Sequence, residues 1–181
     1  SWTCVGGVSQ KAYRIIARDE NNTILWDSGK VISNQMHLVK WEGQPLSSRS
    51  IVYWNVDLWD ESGKCEEGKE TGYFELGLLN KDDWKTSWIS GDYKVNKKQR
   101  YPVDCFRKTI TIQNKKIKKA RAYMTACGVY EGYINGKKMG DFYLAPGITD
   151  YRKRIQYQTV DITDLLVNGD NTIDFMLGDG W

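Results

Sequence analysis

From Ile51 to Trp59 the chain alternates without a break: Val52, Trp54, Val56 and Leu58 fall on one side, and Tyr53, Asn55, Asp57 and Trp59 on the other. A period of two belongs to a strand, because a helix of period 3.6 would scatter the same residues around its circumference. Similar runs occur at Lys11 to Arg18, Thr23 to Trp26, Met36 to Trp41 and Gly72 to Leu78. Turn-forming clusters separate them: Asp19-Glu20-Asn21-Asn22, Glu42-Gly43-Gln44-Pro45 and Glu61-Ser62-Gly63-Lys64. The spacing predicts five to seven short strands in the first half, folded as two stacked antiparallel sheets that each bury one face.

The second half opens on Asp82-Asp83-Trp84-Lys85-Thr86-Ser87-Trp88-Ile89 and returns to strand-like runs at Cys105 to Ile112, Lys119 to Val129, Tyr130 to Asn135, Ile155 to Ile162 and Thr172 to Leu177. Asn135-Gly136 suits a type I′ hairpin turn, since both central positions need positive φ, and it predicts a hairpin from Val129–Ile134 into Lys137–Gly140. Asp161 to Leu166 reads as a short capped turn in which Thr163 or Asp164 accepts backbone N–H groups. No long helical period appears, so the fold class is all-β. A chain of 181 residues is long enough for two sandwiches of about 100 residues each. Eight Trp, eleven Tyr and 17 Gly against three Pro agree with that class.

Several functions are set aside by charge and by residue type. The net charge is +3, with eight basic and eleven acidic residues before Leu79 and 18 basic and 12 acidic from there on. The basic excess sits in short runs beside turns, Lys97-Lys98-Gln99-Arg100, Lys115-Lys116-Ile117-Lys118-Lys119 and Arg152-Lys153-Arg154. These read as solvated turns, not as a nucleic-acid face with interleaved aromatics. No run approaches the ~18 apolar residues of a membrane helix, and Ser1-Trp2-Thr3-Cys4 lacks the basic and apolar regions of a signal peptide. Neither nucleic acid nor membrane is expected as a partner. Cys4, Cys65, Cys105 and Cys127 form no CxxC pair and, with His37 alone, build no zinc site. They are expected to be buried small hydrophobes or incidental thiols. No cofactor and no metal site is expected, although calcium binding is left open.

The first half resembles a fibronectin type III domain, and residues 1–79 are expected to form such a sandwich. The order Tyr133-Ile134-Asn135-Gly136, long loop, Asp161-Ile162-Thr163-Asp164-Leu165-Leu166, then Asn168-Gly169-Asp170-Asn171-Thr172-Ile173 resembles the jelly-roll, galactose-binding-like modules attached to glycoside hydrolases. Longer blocks narrow the likeness. They include Leu25-Trp26-Asp27-Ser28-Gly29-Lys30-Val31, Phe74-Glu75-Leu76-Gly77-Leu78-Leu79, Gly128 to Gly136, Leu144-Ala145-Pro146-Gly147-Ile148-Thr149-Asp150-Tyr151 and Leu177-Gly178-Asp179-Gly180-Trp181. In this order they resemble the N-terminal region of bacterial α-L-rhamnosidases of glycoside hydrolase family 78.

The resemblance implies a parent enzyme that releases terminal L-rhamnose with inversion, using glutamates of an (α/α)₆ barrel that follows these β-domains. Such a barrel needs roughly 190 residues for itself, more than the whole chain. The expectation is therefore a fragment: residues 1–79, then residues 80–181 as a jelly-roll that stops incomplete, acting as a non-catalytic accessory region that supports the barrel. A self-sufficient carbohydrate-binding module and a purely structural spacer are the alternatives. A periplasmic or extracellular location of the parent follows only from its glycan-degrading role.

Inverting hydrolysis needs an acid and a base about 6.5–9.5 Å apart. Asp82-Asp83, Asp141, Asp150 and Asp179 supply carboxylates, but Asp82-Asp83 reads as a turn, Asp161 and Asp164 as caps, and His37 has no motif partner. No catalytic residue is assigned. For sugar contact, an aromatic ring takes the apolar face of a pyranose while carboxylates take its hydroxyls, which points to Asp179 with Trp181, or Tyr151 with Asp150. Trp26, Trp41, Trp54 and Trp59 are expected in a sandwich core or rim, and Trp84 and Trp88 at the junction of the two domains. The expected partners are rhamnose-containing glycans and the catalytic domain of the parent. Self-association through an unpaired edge is expected as well.

Overall fold

The computed structural model describes residues 1–3, 9–94, 96, 98–113 and 116–180. The chain is all-β and divides into two compact units, Ser1–Thr86 and Ser87–Trp181.

Among the described residues the first unit holds six antiparallel strands, β1 (Gln10–Arg18), β2 (Ile24–Asp27), β3 (Val31–Ile32), β4 (Ile51–Asp60), β5 (Cys65–Glu66) and β6 (Gly72–Glu75). β1 and β4 form the central pair, in one register from Ala12 opposite Trp59 to Arg18 opposite Tyr53, with a shift between Gln10 and Ala12 that leaves Gln10 opposite Asp60. β2 and β3 share the far edge of β1, and β5 and β6 share the far edge of β4. The alternation of β4 is realised: Val52 and Val56 are buried while Tyr53 is exposed. Tyr13, Ile15 and Val56 make the core, packed by Trp2, Trp26, Val31, Val39, Trp54 and Leu58. Each aliphatic side chain withdrawn there contributes about 1.5–3 kcal/mol. Buried Gln10 ties the start of the chain to this core. It accepts the Trp2 indole N–H (2.8 Å) and donates to the Ser33 and Gln35 carbonyls (2.9 and 3.1 Å).

The alternating run Met36 to Trp41 is not a strand. Leu38 adopts φ 53°, and the Gln35 amide donates to the carbonyls of His37 and Leu38, so the backbone turns where a ladder would have to run straight. Trp41 packs on Trp26 and Phe74 instead, at centroid distances of 5.2 and 6.1 Å. An aromatic cluster thus does what a strand was expected to do. Gly72 to Leu78 is likewise shorter than its pattern, ending as a strand at Glu75.

The second unit has a four-stranded antiparallel sheet of β7 (Asp104–Ile112), β9 (Val129–Ile134), β10 (Lys137–Lys138) and β12 (Gly169–Gly178), in the order β10-β9-β12-β7. A second sheet pairs β8 (Arg121–Met124) with β11 (Gln158–Asp161). Between them lie Met124, Ala126, Tyr130, Ile134, Met139 and Ala145, with Phe142, Ile173, Phe175 and Leu177 packed against them. On the outer face of the larger sheet, Arg107 and Asp174 are directly opposite and ion-paired at 2.6 Å, a cross-strand pair that offsets two charges.

The Asn135-Gly136 turn forms as the sequence predicts, with φ of 52° and 76° and Lys137 opposite Ile134. Its asparagine does more than turn the chain. Asn135 Nδ2 donates to the Leu165 carbonyl (3.0 Å) and to Asn171 Oδ1 (2.9 Å), and Asn135 Oδ1 accepts the Thr172 N–H (2.9 Å). Asn171, fully buried, also accepts the Val167 N–H (2.8 Å) and donates to the carbonyls of Val167 (2.8 Å) and Gly169 (3.0 Å). The two asparagine motifs are therefore one hydrogen-bonded hub that satisfies the loop leading into β12. In the neighbouring turn Asp161 accepts the N–H and hydroxyl of Thr163 (3.0 and 2.6 Å) and Thr163 Oγ1 accepts the Ala120 N–H (3.0 Å) as expected of it, whereas Asp164 makes no cap bond.

Cys65, Cys105 and Cys127, on β5, on β7 and in the loop before β9, are free thiols and exposed, so of the two expected states it is the incidental thiol and not the buried small hydrophobe that they adopt. Cys4 lies outside the described residues. Among the described residues no helix is long and apolar enough to cross a membrane.

Candidate functional site

β12 ends at Gly178, where the chain leaves the sheet and delivers Asp179 to the surface. Its neighbours in register fix what surrounds it: Leu177 lies opposite Asp104 on one side and Tyr130 on the other, and Gly178 lies opposite Val129. The approach of the backbones is close. A Cβ on Gly128, whose φ is +143°, would meet the Gly178 carbonyl oxygen at 2.4 Å, so only glycine fits. A Cβ on Gly180 would lie 3.1 Å from Gly128 Cα and 3.3 Å from the Tyr151 hydroxyl. Tyr151 and the Asp179-Gly180 segment therefore sit side by side.

Tyr93 joins them from the segment before β7. Its hydroxyl donates to Asp104 Oδ2 (3.0 Å), and its ring stacks on Tyr101 with centroids 4.8 Å apart and planes 20° from parallel. Tyr101 in turn accepts the Asn96 N–H at 2.7 Å through its hydroxyl. The Tyr93 phenol is raised above its usual pKa, first by the hydrogen bond to Asp104, then by burial and by the charges of Asp104 and Asp179. At pH 7 it is a neutral donor whose field is set by two carboxylates. The end of β12 is thus bordered by two groups, Tyr93 with Tyr101 and Asp104, and Tyr151 with the Asp179-Gly180 segment, and the Asp179 charge acts on the Tyr93 phenol. They offer apolar ring surface, hydroxyl donors and carboxylate acceptors, the set that binds a polyol.

Of the residues singled out in the sequence, Asp179 is placed at this end of β12, and Tyr151 with it. Trp181 lies outside the described residues. Asp150, paired with Tyr151 on sequence grounds, is taken up by its own turn: its carboxylate accepts Arg152 Nε (2.9 Å) and Nη2 (3.1 Å), and its carbonyl accepts the N–H groups of Lys153 and Arg154. Arg152 holds that carboxyl below its ordinary pKa. Asp83 serves a 3₁₀ turn at Lys81–Asp83, accepting the Asn80 N–H (2.9 Å) and the Ser48 hydroxyl, and these bonds lower its pKa. Asp141 is exposed beyond β10, and His37 is exposed in the irregular segment after β3. Tyr93, Tyr101 and Asp104 were not found from sequence. They meet one another within a single stretch of chain, are brought to the end of β12 by the long-range register of β7 with β12, and no sequence motif marks them. Among the described residues no group of three His, Cys, Asp or Glu side chains is arranged to hold a metal ion.

The family described as Rha78A-like, N-terminal immunoglobulin domain matches residues 1–80, and the family described as Alpha-L-rhamnosidase N-terminal domain matches residues 115–181. An alpha-L-rhamnosidase of Formosa agariphila is 38% identical and aligns with 97% of this chain and 20% of its own length. One from Alteromonas sp. is 34% identical, with 95% and 20% covered. Among solved structures, the alpha-L-rhamnosidase from Dictyoglumus thermophilum superposes with a TM-score of 0.84 at 35% identity, covering 95% of this chain and 21% of that one. The enzyme from Aspergillus terreus gives 0.85 at 32%, covering 97% and 21%. The chain spans about one fifth of the length of the relatives it matches.

Proposed function

This chain belongs to the α-L-rhamnosidase family as its N-terminal region, and from that premise we propose that it serves as an accessory β-region of an enzyme hydrolysing terminal L-rhamnose from glycosides. We read residues 1–79 as a fibronectin type III-like sandwich and residues 80–181 as part of a jelly-roll. In this reading the region supports the catalytic domain and touches sugar through the residues at the end of β12. The observation that carries the sugar contact is the placement of Tyr151 beside the Asp179-Gly180 segment at the end of β12, next to the strand that holds Asp104. Tyr151 lies beside the Asp179-Gly180 segment, and the Asp179 charge acts on the Tyr93 phenol that donates to Asp104. The chain alone hydrolyses nothing, because every other carboxylate weighed for catalysis is engaged in a turn or stands apart.

Titration of the ¹⁵N-labelled chain with methyl α-L-rhamnopyranoside tests this. Saturable amide shifts at Tyr93, Tyr151 and Asp179, weakened in Asp179→Asn, are expected. An unchanged spectrum at tens of millimolar sugar refutes the sugar contact and leaves a supporting role alone.

Self-association is part of the same proposal. β7 is nine residues long and pairs only with β12, so its other edge offers unpaired N–H and C=O groups among the described residues. A weight-average mass that rises with concentration in analytical ultracentrifugation is expected, and a monomer throughout the series contradicts it.

A further inference from the structure

The outer face of the first sheet carries an open groove of about 530 Å³, lined by Arg18, Glu20, Asn22, Tyr53, Asn55 and Thr71. Three strands assemble it. Arg18 on β1 lies directly opposite Tyr53 on β4, and Tyr53 lies directly opposite Tyr73 on β6, so the three form one row across the sheet. The two phenol rings are exposed, Tyr53 by 39% and Tyr73 by 70%, with centroids 6.3 Å apart and planes 36° from parallel. Further along the same face, Asn55 donates through Nδ2 to the Glu70 carbonyl (2.9 Å) and to Thr71 Oγ1 (3.0 Å). Its orientation is fixed and its Oδ1 stays available to accept.

The far wall is the turn between β1 and β2, and it is built in advance. Asp19 Oδ1 accepts the N–H groups of Asn21 (2.9 Å) and Thr23 (2.8 Å), its carbonyl accepts the Asn22 N–H (3.1 Å), and Asn22 takes the left-handed φ of 66°. Neither Arg18 nor Glu20 has an ion-pair partner among the described residues.

We propose that this groove binds a neutral oligosaccharide. A pyranose has an apolar C–H face and a rim of hydroxyls that both donate and accept. The groove offers each counterpart: the Tyr53 ring for the face, with the exposed Tyr73 ring next to it beyond the groove lining, Arg18 and Asn22 as donors, and Glu20 and Asn55 Oδ1 as acceptors. Two carboxylates, Asp19 and Glu20, stand against one guanidinium, so the local charge disfavours an anion. A peptide added as a strand is excluded by position, because β1 and β4 have strand partners along both edges and the groove lies on their face. The volume falls within the range of about 300–1,000 Å³ of small-molecule sites, and the prefixed turn and amide reduce the ordering cost of binding. This site lies in the other unit from Asp179 and does not depend on the sugar contact proposed there.

The test is an NMR titration of the ¹⁵N-labelled 181-residue chain with xylotriose, cellotriose, mannotriose and methyl α-L-rhamnopyranoside, each into the tens of millimolar. At least one is expected to give saturable shifts at the amides of residues 18–22, 53–55 and 71–73. Tyr53→Ala or Tyr73→Ala weakens that binding by about fivefold, the loss of one ring contact. Both rings stand at the surface, so these variants keep the dispersed spectrum of the folded unit. If none of the four sugars shifts those amides, or if both alanine variants bind unchanged, the proposal is wrong. Shifts confined to Tyr93, Tyr151 and Asp179 overturn it while supporting the sugar contact in the second unit.

Discussion

Replacing Asn171 by alanine removes a side chain that is fully buried and makes four hydrogen bonds. At about 1 kcal/mol net for each bond, the loss is about 4 kcal/mol. The penalty falls on the loop into β12, because the Val167 N–H and the carbonyls of Val167 and Gly169 lose the partner that satisfies them. Against a total of about 5–15 kcal/mol for a typical domain, this is enough to leave the second unit marginal. Urea unfolding followed by an amide of β12 and by one of β4 reads the two units separately, which matters because a chain of two units need not unfold in one step. With an m-value of about 2 kcal/mol/M, the β12 midpoint should fall by about 2 M while the β4 midpoint stays in place. Asn171→Asp keeps the shape and the Oδ1 acceptor but turns an oxygen toward two carbonyls, so it too should destabilise. If Asn171→Ala shifts the β12 midpoint by less than a quarter of that amount, the asparagine hub does not hold the loop and the reasoning fails.

Other outcomes follow from particular contacts. Asp27 is bound by Arg14 through Nε (2.8 Å) and a second nitrogen, and its pKa is lowered to about 2, first by the Arg14 hydrogen bond and then by the Gly29 N–H. A depressed folded-state pKa means that its stabilisation is complete above the unfolded value near 3.8 and is lost as pH falls toward about 2. The pair is partly solvated, so the contribution is at most about 1 kcal/mol, and Asp27→Asn should abolish that part of the acid dependence in a pH series of unfolding midpoints. Gly128→Ala places a Cβ 2.4 Å from the Gly178 carbonyl oxygen at a φ of +143°, and a cost of about 1–3 kcal/mol is expected. Its Tm should fall by several degrees and the Asp179 amide should shift; an unchanged Tm would contradict the close approach at the candidate site.

Legibility in the sequence followed the range of the forces involved. β1, β4, β7 and β9 were readable because their cores sit on one face and impose period two, and the Asn135-Gly136 turn was readable because its φ values are local. The outward row of β4, Tyr53 with Asn55, was visible in the same alternation and proves to line the groove of the first unit. Met36 to Trp41 misled because its hydrophobic residues pack as an aromatic cluster around a left-handed Leu38, and spacing cannot distinguish that from a strand. The asparagines of Asn135-Gly136 and Asn168-Gly169-Asp170-Asn171 were seen as turn signals, but their mutual hydrogen bond joins residues 36 apart. Asp179 stood out as part of a block, whereas Tyr93 and Asp104 reach it only through the pairing of β7 with β12.

One NMR sample holding the labelled chain and an aryl α-L-rhamnoside reports both halves of the proposed function at once. Amide shifts read binding, and the anomeric sugar signals read hydrolysis. Saturable shifts at Tyr93, Tyr151 and Asp179 with no free rhamnose accumulating are predicted for an accessory sugar-contacting region. Free rhamnose that accumulates in proportion to the protein would contradict it, because the chain would then carry its own catalytic site.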